Sequence, residues 1–231
     1  MALPTVILPG YLANAQPYEE MEAALVEAGF PAVTVPLHRY DWLPTIGGRS
    51  VINIIKALDA TAQRAMIDHN CDEINLVGHS AGGWIARIYL GERPYDVHAS
   101  DVNRTFPRPA RGHVNTLVTL GTPHVSKERW TRKNLDFVNQ TYPGAFYDDI
   151  DYVCIAGKAV NGKKADWFTL NSYRLTVGKS DVWGDGVVPL SAARLEGARN
   201  VVVDDVLHSP RQNAAWYGSP SVVKDWSQWL G

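Results

Sequence analysis

The stretch Ile74-Asn75-Leu76-Val77-Gly78-His79-Ser80-Ala81-Gly82-Gly83-Trp84-Ile85 changes character at Ser80. Before it, Ile74 to Val77 is a short apolar run of the kind that forms a buried strand. After it, Trp84, Ile85 and Ile88 fall on one helical face. Between the two, Gly78-His79-Ser80-Ala81-Gly82 fits G-x-S-x-G. A strand, a tight turn and a helix in that order push a serine out above a sheet, at the positive end of the helix. Small Gly78 and Gly82 let such a strained turn pack against its neighbours.

The same alternation extends in both directions. Thr5 to Leu8 reads as a strand ended by Pro9-Gly10, and Pro17 to Ala28 as a helix stopped by Gly29. Ala32 to Val35 is a second strand. Ser50 caps a long helix whose apolar positions Val51, Ile54, Ile55, Leu58, Ala62, Ala65 and Met66 keep a 3.6 period. Further strands are expected at Asn115–Leu120, Tyr152–Ala156 and Asn200–Val203, and a last helix opens at Pro220. Strands separated by helices pair in parallel through right-handed crossovers. Ligands then bind beyond the carboxyl ends of the strands. Two long stretches, Gly91–Val114 and Thr122–Asp151, interrupt the pattern. The second holds Trp130, Phe137, Tyr142, Phe146 and Tyr147, and is read as a helical lid above the sheet.

Composition sets the outer bounds. The chain has 231 residues, 45% apolar and 20% charged, which suits one domain with a sizeable core. A net charge of -2 gives no reason to expect a nucleic acid partner. Cys71 and Cys154 are too few for a disulfide framework or a cysteine-based zinc site. The start, Met1-Ala2-Leu3-Pro4, has no basic region ahead of an apolar one, and no run approaches a membrane span, so a cytoplasmic protein is expected.

The segments Leu8-Pro9-Gly10-Tyr11-Leu12, Leu76 to Trp84, Leu120-Gly121-Thr122-Pro123-His124, Trp183-Gly184-Asp185-Gly186 and His208-Ser209-Pro210 resemble the α/β-hydrolase superfamily. Within it they resemble small lipase- and esterase-like hydrolases of the plant and cyanobacterial type. The resemblance covers residues 1–231 and implies a single α/β-hydrolase domain with a lid or cap at about 122–151. It also implies about six mainly parallel strands flanked by helices, because the sheet starts at residue 5.

That family carries its residues in the order serine, acid, histidine, with the histidine after the last strand. Ser80 is the expected nucleophile and His208 the expected base. Asp185 is the expected acid, with Asp181 as runner-up; Asp204 and Asp205 lie too near His208 in the chain to reach its ring. The oxyanion donors are expected to be the amides of Ala81 and Tyr11, with Leu12 as the alternative to Tyr11. Leu12, His79, His124, Phe137, Phe146 and Trp183 are assigned to the substrate pocket.

No cofactor and no metal are expected. Asp181 to Ala192 half-matches a calcium loop, but its third position is Trp183 and its twelfth Ala192. The chemistry implied is hydrolysis of an acyl-lipid or other hydrophobic carboxylic ester through an acyl-enzyme. The alternatives are an acyl thioesterase or acyltransferase on the same triad, and a catalytically silent ligand-binding protein. The expected partner is a small-molecule or lipid ester, and the expected assembly a monomer or small homo-oligomer. The basic run Lys127, Arg129, Arg132, Lys133 would either touch anionic lipid heads or stand as a solvated face.

Overall fold

The computed structural model describes residues 2–95, 97–98, 110–128 and 131–231. Six strands form the central sheet: β1 (Thr5–Leu8), β2 (Ala32–Thr34), β3 (Ile74–His79), β4 (Val114–Leu120), β5 (Asp151–Lys158) and, last in the chain, β8 (Arg199–Asp204). Their order is β2-β1-β3-β4-β5-β8, and every pairing is parallel. Two short strands, β6 (Val160–Asn161) and β7 (Trp183–Gly184), pair antiparallel beside it.

Parallel strands must be covered on both faces, and side chains alternate accordingly. Val6, Leu8, Leu76 and Leu117 point to one face, where they meet α2 (Ile52–His69) and α3 (Ala81–Leu90). Ile7, Val77, Val118 and Ile155 point to the other, where they meet α1 (Glu19–Glu27) and α6 (Pro220–Ser227). The 3.6-period stripe of α2 is buried as its spacing requires: Ile54, Ile55 and Leu58 have no exposed surface.

Two more helices lie outside the regular alternation: α4 (Arg132–Thr141) after β4, and α5 (Trp167–Val177) between β6 and β7. Arg129 and Trp130 lie outside the described residues, as do 96 and 99–109 of the first long stretch. Among the described residues, no helix is long and apolar enough to cross a membrane.

Candidate active site

Ser80 sits where β3 hands over to α3, with φ 54° and ψ −124°. That backbone is costly for a residue with a Cβ, on the order of 1–3 kcal/mol, and survives only when its surroundings enforce it. The Ser80 N–H donates to Leu120 O at 2.8 Å, and the Gly83 N–H donates to Ser80 O at 3.1 Å. The flanking glycines are required by close approach: a Cβ on Gly78 would meet the backbone of Gly83, and one on Gly82 would collide with Leu8 O. Ala81 is the first residue of α3, so its amide has no acceptor within the helix, and the residue borders the cavity at Ser80.

Asp185 follows β7, and His208 follows β8. The two loops meet, and His208 Nδ1 lies 2.8 Å from Asp185 Oδ2. The Asp185 carboxylate is 1% exposed yet fully partnered. Oδ2 also accepts from the Tyr217 hydroxyl at 2.8 Å, and Oδ1 accepts from the amides of Val187 and Val188 at 2.9 and 2.7 Å. Burial pushes this carboxyl up, but the charge and hydrogen bond of His208, with the two amides, outweigh it and hold its pKa below the usual range. With Nδ1–H directed at Asp185, the neutral His208 ring presents Nε2 as its acceptor. Asp181 is exposed and pairs with Lys163 at 3.6 Å, and Asp204 pairs with Lys158 at 3.0 Å. Neither carboxylate is bonded to His208, so the runner-up Asp181 is not brought to the ring and Asp204 stays apart from it.

Two clefts meet at Ser80. One is a cavity of about 220 Å³ lined mainly by apolar side chains, among them Trp42, Val51, Trp84, Ile85 and Val188. The other is an open groove of about 850 Å³ that also holds His208 and runs between Leu12, Trp167, Phe168 and Leu175. Tyr11, Glu128, Ser172 and Val187 border both. Burial raises the Glu128 pKa. Tyr11 and Leu12 form a turn closed by Ala13 N–H donating to Gly10 O at 3.1 Å, with Leu12 at φ 58°. The turn holds the Tyr11 segment at the edge of the cavity.

His79, like Leu12, borders the open groove, and it also carries a hydrogen-bonded link behind the site. Its Nε2 is 2.9 Å from His208 O, and its Nδ1 is 2.7 Å from the Tyr18 hydroxyl. A carbonyl only accepts, so Nε2 carries the hydrogen and Nδ1 accepts from Tyr18. The Gly10 N–H in turn donates to the Tyr18 oxygen at 2.8 Å. One directional chain therefore ties the loop after β1 to the backbone of His208. Burial, then the nearby charge of His208, pushes the His79 pKa down to about 3. Tyr18 is a contributor that the sequence reading missed. Its only signal was a polar aromatic in the first turn of the helix after β1.

Four of the assigned pocket residues line neither cleft. His124 is buried within 3.2 Å of Thr119 Oγ1 and 3.4 Å of Arg87 Nη1, behind the site. Arg87 donates to Asn139 Oδ1 and Tyr142 O, so this interior cluster fastens α4 onto α3. Phe137 packs on the core and stands edge-to-face with Tyr95 and Tyr142. Phe146 stacks against Tyr142 and Tyr147. Trp183 lies at the surface with Lys158 Nζ 5.7 Å over its ring. Among the described residues of the 122–151 segment, those that border the two clefts at Ser80 are Pro123, Ser126, Glu128, Thr131 and Asn134. Helix α5 borders both clefts as well, through Trp167, Phe168, Ser172, Leu175 and Thr176. Among the described residues, no group of three His, Cys, Asp or Glu side chains could hold a metal ion.

Solved structures share this architecture. EstA from Clostridium botulinum superposes with a TM-score of 0.58 at 12% identity, over 100% of this chain and 87% of that one. A gene product of Listeria innocua gives 0.57 at 13% identity, over 100% and 94%. A candidate cell surface hydrolase from Lactobacillus plantarum gives 0.53 at 12% identity, over 98% and 90%. No family model matches the sequence, and no curated protein matches it. At such identities the likeness speaks to architecture alone, and with the all-parallel sheet and the strained serine after β3 it leads to one conclusion: the chain has the α/β-hydrolase fold.

Proposed function

We propose that this chain is a serine hydrolase that cleaves carboxylic esters through an acyl-enzyme. Ser80 Oγ attacks the ester carbonyl while His208 Nε2 takes the hydroxyl proton. Asp185 keeps the ring in the tautomer that leaves Nε2 free and stabilises the imidazolium once it forms. The amides of Ala81 and Tyr11 donate to the carbonyl oxygen as it becomes negative. The imidazolium then protonates the departing alkoxide. A water molecule, deprotonated by the same ring, releases the acid and restores Ser80.

One arrangement carries this reading. A serine at φ 54° borders the same groove as a histidine whose Nδ1 is 2.8 Å from a buried, fully partnered carboxylate. The smaller, apolar-lined cavity suits an apolar acyl chain and the wider groove the leaving group. At ~30 Å³ per water-sized unit, the cavity of about 220 Å³ holds roughly seven, enough for a medium-length chain.

A fluorophosphonate probe tests the reading, because it labels only an activated serine. The unaltered chain should be labelled and should hydrolyse p-nitrophenyl esters. Ser80→Ala should lose both while unfolding at the same temperature. Absence of labelling in the unaltered chain, or labelling that survives in Ser80→Ala, would overturn it.

A further inference from the structure

Helix α5 is fastened inward by Thr169 and Tyr173, one turn apart, and turns its larger apolar side chains outward. Trp167 is 79% exposed, Phe168 56% and Leu175 54%. All three line the open groove beside Ser80 and His208, so the uncovered face runs directly into the mouth of the site. Apolar surface concentrated in this way marks a contact surface.

The charges around the face narrow the choice of partner. Between residues 158 and 179 stand Lys158, Lys163, Lys164, Arg174 and Lys179 against Asp166 alone, in a chain whose net charge is -2. Lys158 and Lys163 are paired with Asp204 and Asp181. Lys164, Arg174 and Lys179 are exposed and make no ion pair among the described residues; the same holds for Lys127, whose Nζ lies beside Gly178. Arg174 stands two turns after Trp167 and Leu175 two turns after Phe168, so the cation within α5 shares a column with Trp167, beside the column of Phe168 and Leu175. By contrast, Arg132 of the 127–133 run is paired with Asp136 on α4.

We propose that α5 docks this chain on an anionic lipid bilayer, with Trp167, Phe168 and Leu175 at headgroup depth and Lys127, Lys164, Arg174 and Lys179 against the phosphates. Tryptophan suits the membrane–water boundary, and basic residues flanking it add attraction to an anionic leaflet. A second copy is a poorer occupant, because a two-fold contact across this face would set its free cations against one another. Docking in this way would open the groove toward the membrane. It does not depend on the hydrolytic reading.

The test is co-sedimentation of the full chain, carrying Ser80→Ala so that no lipid is consumed, with phosphatidylcholine vesicles lacking or containing phosphatidylserine. Binding should require phosphatidylserine and weaken as salt rises. Trp167→Ser with Phe168→Ser should lower partitioning at least about tenfold. Lys164→Glu, Arg174→Glu and Lys179→Glu together should abolish the preference for phosphatidylserine. The second variant leaves every apolar side chain in place, so a folding defect in the first leaves the test intact. Absence of binding to phosphatidylserine vesicles at low salt would overturn the proposal. So would binding by both variants that equals that of the parent chain, or a dimer in light scattering that Trp167→Ser dissolves.

Discussion

Tyr18→Phe isolates the hydrogen-bonded chain behind the site. The ring packs edge-to-face on Trp216 at 5.6 Å and would stay; only the hydroxyl goes. Two buried groups then lose their partner at once: the Gly10 N–H, now 2.8 Å from that oxygen, and His79 Nδ1, now 2.7 Å from it. A tautomer flip cannot rescue His79, because Nε2 would then face the His208 carbonyl without a hydrogen. Each orphaned group costs about 1–3 kcal/mol, so relaxation should leave a loss of about 2–4 kcal/mol. For a chain of this length that is a fall in Tm of roughly 4–16 °C. Urea and thermal unfolding measure the loss, and ester kinetics read its consequence. Gly10 opens the turn that carries Tyr11, the proposed oxyanion donor, so kcat should fall about tenfold with KM nearly constant, as for a group that acts on the transition state. Combining Tyr18→Phe with His79→Leu should cost about 1–2 kcal/mol less than the sum of the two. A loss below about 0.5 kcal/mol, or strict additivity, would refute the view that this chain holds the two loops together.

Asp185→Asn should lower kcat by up to ~10⁴, because an amide NH₂ cannot accept from His208 Nδ1 and favours the wrong tautomer; Asp181→Asn should leave kcat unchanged, and the reverse result would move the acid. Acid should destabilise the fold. Burial holds His79 at about 3 and His124 well below its ordinary value, so between about 6.5 and 4 the unfolded chain binds more protons and stability falls with pH. The slope should approach about 1.4 kcal/mol per pH unit for each ring, and a urea midpoint that stays flat over that range would contradict it. Asp185, also depressed, adds to the loss at lower pH. Phe137→Ala should lower Tm and depress kcat/KM on short and long acyl esters alike; a selective loss on long chains would restore its ring to the pocket.

Much of the framework could be read because each part rests on a local rule. The strands Thr5–Leu8, Ile74–Val77 and Asn115–Leu120 are short apolar runs between helical periods, and a parallel sheet covered on both faces produces such runs. The first keeps its bounds, the second runs on to His79 and the third begins one residue earlier, at Val114. Parallel topology puts the chain after β5 and after β8 at the end of the sheet where Ser80 stands; Asp185 lies on the excursion that follows β5, just past the short strand β7, and there it meets His208. The Tyr18–His79 chain could not be read in this way. It joins residues 61 apart through ring nitrogens whose direction is fixed only by the His208 carbonyl. No spacing rule encodes that.

Aromatic content in 122–151 did not mark the rings that border the clefts, whereas α5 held a signal that would have marked them. Counting aromatics in 122–151 says nothing about which way they face. In α4 and just after it, Leu135, Val138 and Tyr142 recur at intervals of three and four, and all three are buried. The rings of Phe137, Phe146 and Tyr147 are then used up against Tyr142 and one another. In α5 the inward positions are Thr169 and Tyr173, and Trp167, Phe168 and Leu175 fall out of phase with them. Large apolar residues off the buried stripe of a short helix have no core to enter. They must be covered by something outside the domain or line a cleft, and α5 has a cleft beside Ser80 to line. Phase relative to the buried stripe, rather than aromatic content, therefore identifies the helix whose rings line the cleft.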